Sequence, residues 1–112
     1  MKYACLAALL LALPALAEEA PKPLTGTYEM GSKTILDPPP SEKIDTVRFH
    51  ITGKTAADMW KAMPAKPKFD ECIGMDMKTA NNLVCQENRP GDYMCFVGIN
   101  LRTGAAVGAV VC

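Results

Sequence analysis

The chain has 112 residues, with twelve Lys and Arg balancing twelve Asp and Glu, one His and five Cys. Its basic residues stand singly among acids, so the clustered cations that grip a phosphate backbone are missing and nucleic acid is excluded as a partner. A single imidazole likewise excludes metal sites built on two or more histidines.

Residues 1–17 follow the plan of a secretory signal peptide. Lys2 supplies the basic start, residues 4–13 are an apolar run, and Pro14 precedes the small-residue pattern Ala15-Leu16-Ala17. The run is shorter than the roughly 20 residues needed to cross a bilayer, so cleavage after Ala17 is expected to leave no membrane anchor. Periplasmic export is the expected destination, with full secretion the alternative. Losing Lys2 leaves eleven basic against twelve acidic residues in the remaining 95. A chain that short buries only about 65% of its unfolded surface and benefits from cross-links. Cys72, Cys85, Cys95 and Cys112 survive processing, an even set suited to two disulfides in an oxidising compartment. The pairing expected is Cys72 with Cys85 and Cys95 with Cys112; spacing alone leaves three connectivities open.

Residues 18–43 form a Pro-rich flexible arm, in which Ala20-Pro21-Lys22-Pro23 and Asp37-Pro38-Pro39-Pro40 frame at most one short edge strand near residues 24–30. The domain proper is expected over residues 44–112. Val47, Phe49 and Ile51 alternate with polar residues, which predicts a half-buried strand over 46–51. Thr55 stands as a helix N-cap, and Ala56, Met59, Trp60 and Met63 make an apolar stripe that Pro64 ends. Strands are predicted over residues 75–79, 83–87 and 93–101, with Asn81-Asn82 and Arg89-Pro90-Gly91-Asp92 as turns. Thr103-Gly104 predicts a hairpin returning through residues 106–112; a two-residue loop sets Cys95 opposite Cys112, a three-residue loop opposite Val111. The fold class is therefore α+β: a small disulfide-stabilised domain with one short helix on an antiparallel sheet of about four to five strands. Gly98, Gly104 and Gly108 mark the lightly side-chained face expected to receive the helix.

Chemical motifs are weak. Gly53-Lys54-Thr55 lacks the earlier glycine of a phosphate-binding loop, Arg48 standing there instead. His50 lies on the polar side of its strand, and Ser32 and Ser41, the only serines, sit in the arm. Paired acids at Glu18-Glu19 and Asp70-Glu71 read as solvated charge, and no two cysteines are separated by two residues. No enzymatic activity and no cofactor are expected. A non-enzymatic protein-binding or inhibitor-like module fits best, its partner an unknown protein in the periplasm or outside the cell. Loops at 66–70 and 88–92 would present Phe69, Asp70, Arg89, Asp92 and Tyr93 as anchors, with Trp60 read as core. The alternative is periplasmic copper binding, since Met75-Asp76-Met77 places two soft thioethers on one face of a strand.

Overall fold

The computed structural model describes residues 19–110. The elements run β1 (Gly26–Gly31), β2 (Thr46–Ile51), α1 (Gly53–Ala62), β3 (Lys68–Asp70), β4 (Met75–Ala80), β5 (Leu83–Arg89), β6 (Asp92–Asn100) and β7 (Ala106–Val107). All strands belong to one antiparallel sheet ordered β1-β2-β6-β5-β4-β3, with β7 beside the far half of β6. The α+β class is as expected, but the sheet has seven strands. β3, with three residues, was not expected, β1 falls where at most one short edge strand was expected, and β7 is two residues of the expected return through residues 106–112.

The helix begins earlier than its sequence cap suggested. Gly53 adopts φ +58 to turn the chain out of β2, and the N-cap is Thr52, whose side chain makes no capping bond. Thr55 instead accepts the Thr25 N–H at 3.0 Å and donates to the Pro23 carbonyl at 3.4 Å, fastening the arm to the helix. Met63 is extended, as a residue before proline must be, and the helix stops there.

One sheet face carries the helix. Cross-strand register places Ile51 beside Cys95, Cys95 beside Cys85 and Cys85 beside Lys78, so these four form a row across the sheet. Ala56, Trp60 and Met63 close over it to make the core. Gly98 was expected to lie beneath the helix; it belongs to the opposite face, where it meets Val107, and a Cβ there would stand 2.8 Å from Val107 Cγ2.

The disulfide pairing also differs from expectation. Cys85 is bonded to Cys95, directly opposite it with Cα atoms 4.0 Å apart. The reason is a bulge. Arg89 pairs with Asp92, but Glu87 pairs with Tyr93, so the extra residue Asn88 shifts the register by one. An unbulged hairpin would have set Cys85 opposite Phe96. Cys72 is disulfide-bonded as well. Cys112 and residues 1–17, the expected signal peptide, lie outside the described residues. The last hairpin pairs Ile99 with Ala106 and Gly98 with Val107, so neither register proposed for Cys95 with Cys112 or Val111 is formed. Asn100 causes this: its side chain accepts the Arg102 and Thr103 amides, lengthening the turn that Gly104 closes at φ +76.

Candidate functional site

The residues expected as loop anchors are brought to one end of the sheet but play different parts. Residues 68–70 are the edge strand β3 rather than a loop. Phe69 is 65% exposed, whereas Asp70 turns inward on its own backbone and accepts the Cys72 and Ile73 amides at 2.9 and 3.2 Å. Arg89 and Asp92 pair across the hairpin tip at 3.7 Å, and Asp92 also accepts from Asn88. Tyr93 packs on Trp60 with ring centroids 5.1 Å apart. Its phenol is held above its ordinary pKa by a hydrogen bond to Glu87, the residue opposite it, and by burial. Trp60 is core, 7% exposed.

Lys78 completes this end of the core. Its ammonium donates to the carbonyls of Trp60 and Met63 at 2.8 and 3.1 Å and lies 4.9 Å from the Trp60 ring centroid. The charge thus sits where the helix dipole is negative and its last carbonyls lack partners.

On the opposite face, a groove of about 250 Å³ is lined by Thr27, Glu29, Arg48, His50, Phe96 and Ala109, among others. His50 stacks on Phe96 at 4.6 Å and its Nε2 is buried without a partner. Arg48 is 6% exposed; its guanidinium donates to the Ser32 carbonyl and lies 4.0 Å from Glu29, while its Nε, like His50 Nε2, is buried without a partner. Gly31 permits this, since a Cβ there would overlap the guanidinium. The groove's cation therefore anchors the chain leaving β1. Met75 and Met77 occupy this face too, and Gln86 separates Met77 from Met94 across β5. Among the described residues no cluster of three or more His, Cys, Asp or Glu is placed to hold a metal.

The least satisfied surface is on the helix face itself. The helix packs mainly on β6 and, to a lesser extent, β5. Beyond it, register aligns Leu83, Val97, Phe49 and Tyr28 in one row and Ile99, Val47 and Met30 in the next. Tyr28 is 69% and Met30 47% exposed, and Phe49, Val97 and Ile99 are only half-buried. Leu101 and Ile44, beyond the strand ends, are 56% and 70% exposed. Sequence reading had assigned Tyr28 and Met30 to the arm and so missed them; the alternation of Tyr28 and Met30 with Thr27 and Glu29 was the available signal.

Comparison of the chain with protein-family models, characterised proteins and solved structures returned no match.

Proposed function

We propose that this is an exported, non-enzymatic protein-binding module, and that it docks its partner through the helix-free part of the sheet face. The observation carrying this reading is the exposed apolar end of the two rows, Tyr28 and Met30, which the protein's own helix does not reach, while Val47 within them is buried and Phe49 and Leu83 pack against the core. Contiguous exposed apolar surface of this kind is costly in water and marks interaction sites. The disulfide between β5 and β6 and the absence, among the described residues, of a helix long and apolar enough to cross a membrane support an exported protein. Periplasm is the favoured compartment. Substituting Met30→Lys should leave the fold intact and weaken capture of the partner from the exported fraction of the host by at least about tenfold. Arg89→Ala with Asp92→Ala tests the hairpin tip instead; loss of capture there, with Met30→Lys unaffected, would move the site to the loops.

A second reading keeps copper. Met94 shares the face of Met75 and Met77, adding a thioether to the pair. Replacing Met75 and Met77 by Leu should abolish Cu(I) uptake under this reading; retained uptake would dispose of it.

A further inference from the structure

We infer that two copies of this protein pair through β1, antiparallel, into one continuous sheet. The inference goes beyond the docking reading and rests on a different observation, the open backbone edge of β1.

The two ends of the sheet differ. At one end, β3 has three residues, carries Lys68 and follows Lys66-Pro67, the features that blunt an edge against pairing. At the other, β1 has six residues with neither Lys nor Pro, and five of the six are exposed. Its hydrogen-bonding pattern fixes which groups are open. Thr52 N–H donates to the Thr25 carbonyl and Asp45 N–H to the Gly31 carbonyl, so the odd-numbered residues direct their backbone toward β2. In an antiparallel ladder the alternate residues then point outward. Those are Gly26, Tyr28 and Met30, and among the described residues no other backbone bond reaches them.

Only one two-fold register uses all three. With the axis at Tyr28, Gly26 meets Met30 of the second copy, Tyr28 meets Tyr28, and Met30 meets Gly26. Each is a hydrogen-bonded pair exchanging N–H and C=O in both directions. On the groove face, Thr27 then stands opposite Glu29 of the second copy, and its hydroxyl can donate to that carboxylate. A shift placing the axis at Glu29 opposes two carboxylates; a shift to Thr27 leaves Met30 without a strand partner. On the other face, the apolar row ending in Tyr28 runs on into the matching row of the second copy, and stacked aromatic pairs across an axis are favourable. Charge and hydrogen bonding select the same register.

The test is light scattering of the exported chain over a concentration series, with amide exchange followed by NMR in the same samples. The expected mass is that of two chains, with protection at Gly26, Tyr28 and Met30 growing with concentration while Thr27 and Glu29 stay protected throughout. Tyr28→Lys sets two ammonium groups face to face and should weaken pairing by at least about tenfold. Thr27→Lys, facing Glu29, should preserve or tighten it, and Met30→Lys, facing Gly26, should leave the mass unchanged while weakening partner capture. A single-chain mass at every concentration, or a dimer whose Gly26, Tyr28 and Met30 amides exchange freely, would overturn the inference.

Discussion

Lys78 shows how a single side chain closes the core. An ammonium between two helix-terminal carbonyls and an indole ring replaces hydration with charge-assisted bonds. Lys78→Met keeps the stem and removes the charge, and should cost about 1–2 kcal/mol in urea unfolding, whereas the exposed Lys61→Met should be nearly neutral. Glu42 gives a pH-dependent contact of another kind. Its carboxylate accepts the Thr34 hydroxyl at 2.6 Å and the Thr34 amide at 3.2 Å, and the hydroxyl bond is the main cause of its lowered pKa. A lowered carboxyl favours the folded contact at neutral pH and loses it as pH falls through the lowered value. The Thr34 amide resonance should therefore titrate below the ordinary carboxylate range, and Glu42→Gln should remove that titration.

The β5–β6 hairpin ties one residue to a covalent bond. Deleting Asn88 removes the bulge while leaving Glu87 opposite Tyr93 and Cys85 opposite Cys95, so the Cys85–Cys95 bridge should still form; peptide mapping without reductant would show it. The bridge spans a sequence separation of 10, and its loss should cost about 2–3 kcal/mol. This hairpin also marks the limit of what residue order discloses. Strand β2, the helix stripe and the Asn81-Asn82 and Pro90-Gly91 turns were legible because periodicity and turn chemistry are local properties. The bulge is not local: Asn88 is displaced because Tyr93 must face Trp60 and Cys95 must face Ala56, and packing of the helix decides both. For the same reason the glycine face was assigned to the wrong side. Edge strand β1 falls where at most one short strand was expected, and β3 escaped because a three-residue segment after a proline acquires strand structure from its neighbour. Of the expected anchors, Phe69 is exposed on strand β3, while Asp70 is consumed by the turn it builds.

At the scale of the whole molecule, a ten-residue helix is too short to cover a seven-stranded sheet. It shields the row containing the disulfide and leaves Tyr28 and Met30 on β1 exposed. On the opposite face Arg48 anchors the chain after β1 and His50 stacks on Phe96, and Arg48 Nε and His50 Nε2 are buried there without partners. One face thus holds the arm, and the other carries the exposed Tyr28 and Met30 through which we propose docking. The most direct test is a native mass spectrum of the untagged chain, gently purified from the exported fraction of its host, recorded beside that of the Met30→Lys variant. The account predicts a second protein in fixed stoichiometry with the wild-type chain and its loss from the variant. A bare chain in both spectra, or a partner carried equally by both, would contradict it.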